Sequence, residues 1–297
     1  MAPMAPAQFL QFQQQINQDI EGRIAAHKTK MAAAKATRAF VEGAANRPLV
    51  LLADGDSWFD YPLGDPIPGI RTDILAQLPK ISGQEPNILS FAHYGDATNV
   101  ELGLTRQQRM VAAIRDPGNG PIDAILFSGG GNDIVGDQFC IWLKDASAVG
   151  NDPAQALDAT RFPEILGAVE ASYLDLIALR DDNLPNAFIF THGYDFAIPS
   201  GDKACGIGPW LMPSLQYCGW GCPNPGTQIV KNALLGFSGM LKKLAGDPAK
   251  KFVYIETQGT LTDPNQWDNE LHPKPDGFTL MARKFLGALR DKFGARI

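Results

Sequence analysis

The segment LVLLADGDS at residues 49–57 decides the fold of this chain. Five apolar residues in succession are typical of a short strand buried on both faces, and the Asp-Gly-Asp-Ser that follows is typical of a turn. Similar apolar runs cover residues 87–92, 124–128, 187–191 and 252–257, and helical patterns cover residues 71–80, 100–115, 162–180, 228–244 and 278–293. This alternation predicts an α/β fold in which helices cover both faces of a five-stranded parallel sheet.

The rest of the chain adds a helix and two long connections. Residues 1–47 carry apolar side chains at spacings of three and four, which predicts an amphipathic N-terminal helix that covers the domain at residues 48–297. The connections at about residues 134–161 and 196–227 exceed the roughly two to six residues usual in such folds. We expect both to form cap-like loops.

Composition and charge exclude several classes of partner. Hydrophobic residues make up 45% of the 297 residues, which is typical of a folded globular protein. The formal charge of −6 disfavours binding to nucleic acid or to an anionic membrane. No apolar run approaches the about 20 residues of a membrane span, and no signal-peptide pattern precedes the domain. We expect a soluble protein, cytoplasmic as it stands and secreted or periplasmic if a leader has been removed; the oligomeric state stays open.

The cysteines do not indicate a metal site. Cys205, Cys218 and Cys222 are clustered, but the chain has no Cys-x-x-Cys pair and no histidine inside the cluster. We therefore expect no metal and no cofactor. A disulfide within the loop and free thiols are both open.

Polar residues and glycines follow the predicted strands. In a parallel α/β sheet the ligand binds outside the carboxyl ends of the strands, near the point where the winding direction reverses. Residues 54–57, 93–96, 129–133 and 192–195 all follow strands, and they are rich in Asp, Gly, His and Asn. Ser57 lies in the first of these segments. A serine there can simply cap a helix, or it can be a nucleophile if a base and oxyanion donors lie beside it.

Four segments together resemble the SGNH (GDSL-type) hydrolase superfamily in order and spacing. They are Gly-Asp-Ser at 55–57, Tyr-Gly-Asp-Ala-Thr at 94–98, Gly-Gly-Asn-Asp at 130–133 and His-Pro at 272–273. The resemblance spans residues 49–293. It implies a flavodoxin-like three-layer α/β/α sandwich and a serine esterase that cleaves carboxylic esters through an acyl-enzyme intermediate, with a small-molecule ester as substrate.

The resemblance also implies roles for individual residues. Ser57 takes the place of the nucleophile and His272 that of the base. The backbone N–H groups of Ser57 and Gly95 and the side-chain amide of Asn132 take the places of the oxyanion donors. His192 also follows a strand and is an alternative base, but the resemblance assigns that role to the segment before the last helix.

The acid that orients His272 is where the sequence departs from the family. The family usually has Asp three residues before the histidine, but this chain has Asn269 there. Replacing such an Asp by Asn costs about 10⁴ in rate. We therefore predict that Asp268 is the orienting acid, with Glu270 as the alternative. The third option is a Ser57–His272 dyad whose imidazole is held by a backbone carbonyl or by Asn269.

Aromatic residues near the strand ends are candidates for substrate binding. We predict that Trp58, His192, Tyr194 and Trp210 line the pocket, because apolar walls suit an acyl chain or an aromatic ester. Packing in the core is the alternative for Trp58. Turn formation is the alternative for His192.

Two other functions compete with the esterase. The strand ending in Asp54-Gly55-Asp56 resembles the start of magnesium-dependent haloacid-dehalogenase-type phosphatases, in which Asp54 would be the nucleophile. The later segments lack the Lys and the acidic pair that such a phosphatase needs. A non-catalytic carbohydrate-binding protein on the same fold is the second alternative.

Overall fold

The computed structural model describes residues 6–35, 47–61, 72–203 and 208–297, with the side chains of residues 6–10, 12 and 13 left aside. Its sheet has five strands in the order β2-β1-β3-β4-β5, and every neighbouring pair is parallel. The strands are β1 Val50–Gly55, β2 Asn87–Ser90, β3 Ala124–Ser128, β4 Phe188–His192 and β5 Phe252–Ile255. This is the flavodoxin-like strand order, and the predicted fold class is confirmed.

Ten α-helices lie within these described ranges. They are α1 Pro6–Lys35, α2 Ile74–Ile81, α3 Thr98–Glu101, α4 Leu104–Arg115, α5 Gly131–Ile134, α6 Phe139–Trp142, α7 Arg161–Asn183, α8 Met212–Tyr217, α9 Gly226–Ala245 and α10 Pro275–Phe293. The single helix predicted for residues 100–115 is two helices, because Gly103 is extended and begins α4 as its N-cap.

The helices form a layer on each face of the sheet. Helices α2 and α10 pack against each other, and α7 packs against α4 and α9. Strands β1 and β3 are buried along their whole length because helices cover both faces. Right-handed crossovers place α2 and α10 on one face and α4, α7 and α9 on the other.

Helix α1 packs against β2 at the edge of the sheet. Ile20 and Met31 are buried there. Arg23 donates to the carbonyl oxygen of Ala92 and pairs with Asp60. The N-terminal helix is therefore present. The end of the N-terminal segment was predicted at residue 47, but residues 36–46 lie outside the described residues. No helix among the described residues is long and apolar enough to cross a membrane.

The two long connections pack on each other. Helix α6 lies in the first, α8 lies in the second, and the two helices are in contact. Trp220 donates its indole N–H to the carbonyl oxygen of Lys144, and the backbone N–H of Ala146 donates to Cys218. Cys140, Cys218 and Cys222 are free thiols, whereas Cys205 lies outside the described residues.

Candidate active site

The turn after β1 places Ser57 at the point where the winding direction of the sheet reverses, between β1 and β3. Gly55 has a φ of +146°, and a Cβ there would collide with the carbonyl oxygen of Ser128 on β3. The next residue, Asp56, donates its backbone N–H to that same oxygen at 2.8 Å. Only glycine allows the turn to lie this close to β3.

Ser57 and His272 lie 215 residues apart in sequence and are in direct contact. Ser57 Oγ is 2.7 Å from His272 Nε2, and both side chains are buried. On the far side of the ring, His272 Nδ1 is 2.9 Å from Asn269 Oδ1. Oδ1 also accepts the backbone N–H groups of Leu271 and His272, which fixes the orientation of the amide. Nδ1 therefore carries the proton, and Nε2 is free to accept the proton of Ser57.

Burial keeps the imidazole neutral. Removal from water lowers the pKa of His272 to about 3, because the charged form loses its hydration. At neutral pH the ring is unprotonated at Nε2. It can therefore act as a general base toward Ser57.

The residues predicted as oxyanion donors lie on two further loops. The side-chain amide of Asn132, at the start of α5, donates to the carbonyl oxygen of Asp96 at 2.7 Å, which joins it to the Gly95 loop. Both carboxylate oxygens of Asp133 accept from Thr98. Within the described residues, the backbone N–H groups of Ser57 and Gly95 donate no hydrogen bond. Of the three predicted oxyanion donors, Ser57 and Asn132 line the pocket beside the reacting pair and Gly95 does not, so a shared oxyanion site stays a prediction.

A buried carboxylate holds the nucleophile turn in place. Asp56 Oδ1 accepts the backbone N–H of Trp58 and the hydroxyl of Ser128, and Oδ2 accepts the hydroxyl of Tyr194. The phenol oxygen of Tyr194 in turn accepts the backbone N–H of Gly131. Burial raises the pKa of Asp56 to about 6, while these three donors favour its ionised form. The network joins the ends of β1, β3 and β4.

His192 belongs to this network and not to the pocket, so its predicted place on the pocket wall is wrong. Its ring is fully buried, with Nδ1 accepting from the backbone N–H of Tyr194 and Nε2 donating to Ser128 Oγ. Both ring nitrogens are thus occupied by groups other than Ser57. Burial lowers its pKa to about 3.

A small pocket that is open to solvent lies beside the reacting pair. Ser57, Asn132 and His272 lie on its wall together with Trp58. The wall is completed by the mostly apolar residues Val135, Tyr194, Ala197, Val230, Leu234 and Leu271. Trp58 also packs edge-on against Tyr194 and Phe278, so it belongs to both the pocket and the core. Trp210 lies beside the pocket, with its ring edge-on to His272 at 5.8 Å.

The two acids near His272 do not contact its ring, which corrects the prediction for Asp268. Asp268 Oδ2 instead accepts the hydroxyl of Tyr61 at 2.7 Å. Glu270 is fully buried and points away, where it accepts four backbone N–H groups of the second long connection. These are the N–H groups of Gly201, Trp210, Leu211 and Met212, at 2.5–3.1 Å. Of Asp268, Asn269 and Glu270, only Asn269 directs its side chain toward Nδ1 of His272. Asn269 therefore takes the place where an acid was expected.

The phosphatase alternative finds no support at Asp54. That carboxylate is fully buried and pairs with Arg106 at 2.9 Å, and it does not line the pocket. Burial raises its pKa to about 6. Within the described residues, no group of three or more His, Cys, Asp or Glu side chains could hold a metal ion.

The contacts of two residues near the base were not foreseen. Tyr61 stacks on the imidazole of His272, with ring centroids 4.4 Å apart. Its distance from His272 in sequence left no local signal for this contact. The hydrogen bonds that Glu270 accepts could not be predicted from the sequence, because their donors are backbone N–H groups about 60 residues away.

Comparison with known proteins supports the fold. No family model matches the sequence, and no curated protein matches it. The chain is similar in structure to a lipase from a goat rumen metagenome, with a TM-score of 0.53 and 16% identity over 84% of this chain and 100% of that one. It is also similar to an extracellular lipase from Streptomyces rimosus, with a TM-score of 0.51 and 16% identity over 81% of this chain and 98% of that one. The chain shares the fold of these two proteins, and the fold implied by the SGNH (GDSL-type) resemblance is confirmed.

Proposed function

We propose that the chain is a serine esterase that cleaves carboxylic esters. The observation that carries this proposal is the 2.7 Å contact between Ser57 Oγ and His272 Nε2 on the wall of a pocket. A serine hydroxyl becomes an effective nucleophile when a neutral, correctly oriented imidazole accepts its proton. The two proteins that share the fold are named lipases, which accords with ester cleavage.

The reaction proceeds in two halves. Ser57 Oγ attacks the ester carbonyl carbon while its proton moves to His272 Nε2. The oxyanion that forms accepts hydrogen bonds from the donors around it, namely the backbone N–H groups of Ser57 and Gly95 and the amide of Asn132. His272 then protonates the leaving alcohol and the acyl-enzyme forms. Water, deprotonated by the same Nε2, releases the acid and restores Ser57.

The pocket favours an ester with an apolar acyl group. Val230 and Leu234 of α9 and Val135 at the end of α5 offer no charge to a ligand. The carboxylate of Asp195 also borders the pocket, but the backbone N–H groups of Gly259 and Leu261 occupy it. Binding in such a pocket comes mainly from apolar contact.

Labelling the nucleophile tests the proposal directly. A fluorophosphonate should form one covalent adduct, mapped by mass spectrometry to Ser57, and Ser57→Ala should lose the adduct and lower ester hydrolysis by about 10⁴–10⁶. Hydrolysis of p-nitrophenyl phosphate that is abolished by a chelator would favour the phosphatase. Absence of both the adduct and any ester hydrolysis would favour a binding protein.

An acyl-chain series tests the pocket. We expect p-nitrophenyl butyrate and hexanoate to be cleaved with a higher kcat/KM than the acetate. Leu234→Phe should narrow the pocket and reverse that order, whereas Leu235→Phe is the matched control, because Leu235 is the next residue of α9 and is exposed. An unchanged series in Leu234→Phe would place the acyl group elsewhere.

A further inference from the structure

The catalytic imidazole lies between two neutral groups. Asn269 Oδ1 accepts its Nδ1–H, and Tyr61 stacks on its face with an interplanar angle of 20°. Neither group carries a charge. When Ser57 gives up its proton, however, the ring becomes a buried imidazolium, which requires a compensating charge or a strongly polarised environment.

The carboxylate of Asp268 is linked to the ring through these same two groups. Asp268 Oδ2 accepts the hydroxyl of Tyr61 at 2.7 Å and the side-chain amide of Asn269 at 3.2 Å. The amide of Asn269 also donates to the Tyr61 oxygen at 2.9 Å. Asp268, Tyr61 and Asn269 thus form a closed triangle of hydrogen bonds, and one corner of it holds the imidazole.

The triangle polarises both groups that touch the ring. A carboxylate that accepts from an amide N–H increases the negative charge on the amide oxygen, because linked hydrogen bonds polarise one another. Here Tyr61 and Asn269 are buried, whereas Asp268 itself is exposed. A carboxylate that accepts from a phenol likewise makes the aromatic face more negative, and such a face attracts a cation. Both effects favour the imidazolium over the neutral ring.

Building on the esterase mechanism above, we propose that Asp268 and Tyr61 are positioning residues for the esterase reaction. They hold the amide of Asn269 toward Nδ1 and stabilise the imidazolium of His272 from one hydrogen bond away. Asp268 thereby supplies the negative charge that the neutral Asn269 lacks.

Single substitutions give the first test. Tyr61→Phe keeps the stacked ring and removes the hydroxyl, and Asp268→Asn removes the charge at nearly constant size. Each should lower kcat about tenfold with KM unchanged, since the imidazolium forms only during the reaction. The matched controls are Tyr217→Phe and Asp175→Asn, which change exposed side chains and should leave kcat unaltered.

Coupling between the two positions gives the second test. If both act through one triangle, the variant carrying both changes should be only about as slow as either single variant. Effects that multiply to about a hundredfold would mean independent roles and would overturn the triangle.

Moving the charge gives the third and sharpest test. In a variant that carries both Asp268→Asn and Asn269→Asp, the carboxylate contacts Nδ1–H directly. We expect kcat to recover from the Asp268→Asn value to at least the wild-type value. The acid limb of the kcat/KM profile should move to higher pH, because an adjacent carboxylate raises the pKa of an imidazole. If Asp268 has only a structural role, kcat should not recover in this variant and the pH profile should not shift.

The outcomes separate this inference from the proposed function. If fluorophosphonate labels Ser57 and esters are cleaved, but Tyr61→Phe and Asp268→Asn change kcat by less than twofold, the triangle has no catalytic role. The same conclusion follows if the charge-moved variant folds with a wild-type thermal midpoint and stays slow. If Ser57 is not labelled and no ester is cleaved, the proposed function itself is wrong.

Discussion

The nucleophile turn and the base loop meet at Ser57, yet they are held by different means. The turn relies on Asp56, which accepts hydrogen bonds from the turn itself, from β3 and from the segment after β4. The base loop at residues 267–273 is closed by its own hydrogen bonds around His272 and is joined to the second long connection through Glu270. Its backbone closes between Asp268 and His272, and Asn269 Oδ1 accepts from the two residues that follow Glu270.

Because of this difference, substitutions in the two regions should affect stability and activity to different extents. A change at Asp56 disturbs three strand ends at once, whereas a change at the exposed Asp268 of the base loop removes few buried contacts. We therefore expect substitutions of Asp56 to lower both stability and activity, and substitutions of Asp268 to act mainly on kcat. The following predictions test this contrast, from the largest expected effect to the smallest.

Removing the carboxylate of Asp56 should have the largest effect. Asp56→Ala leaves three buried donors without an acceptor, at about 1–3 kcal/mol each, so the free energy of unfolding should fall by about 3–9 kcal/mol. Denaturant unfolding measures this change, and Asp268→Ala in the base loop, where the side chain is exposed, should cost less than about 2 kcal/mol by the same assay. Equal losses at the two positions would contradict the contrast.

Removing the amide of Asn132 should destabilise the transition state and leave substrate binding unchanged. Asn132→Ala should lower kcat by about 10²–10³ with little change in KM, the usual cost of one oxyanion donor. Steady-state kinetics with a p-nitrophenyl ester measures both constants. An effect confined to KM would show that Asn132 binds the substrate instead.

Glu270 joins the base loop to the second long connection through hydrogen bonds. Glu270→Gln turns an N–H group toward backbone donors near Trp210, so it should cost about 1.5–3 kcal/mol and loosen residues 208–212. Amide hydrogen exchange of that segment should accelerate, while β1 stays protected. Exchange that accelerates equally throughout the chain would mean global destabilisation rather than a local tie.

The smallest effect concerns Glu101, whose carboxyl group is fully buried and has no partner within the described residues. Burial raises its pKa well above the ordinary value, with the carboxylates of Asp56 and Asp54 adding to the shift. The folded state therefore holds a proton that the unfolded state releases, and stability falls as pH rises above about 4.5.

Glu101→Gln removes this dependence. Its thermal midpoint should match the wild type near pH 4.5 and exceed it by about 2–4 °C at pH 8. Thermal unfolding at the two pH values measures the difference. A difference in thermal midpoint between wild type and Glu101→Gln that is constant with pH would mean that Glu101 does not titrate in this way.

The sequence by itself determined the α/β alternation and the residue types at the strand ends. The predicted β3 matches Ala124–Ser128, and the other strands agree within two residues. This was possible because burial on both faces produces continuous apolar runs, which are a local property of the chain. The same local order placed Ser57, Asn132 and His272 after or between elements whose ends meet at one edge of the sheet.

Only the tertiary structure decided which side chains meet at that edge. Asn269 rather than Asp268 faces His272, although the two are neighbours, because a shift of one residue in an irregular loop reverses the direction of a side chain. His192 follows its strand as expected, yet its ring points beneath the pocket toward Ser128. Tyr61 reaches His272 from more than 200 residues away. Side-chain direction and long-range contact depend on the packing of all layers at once, and no local pattern carries that information.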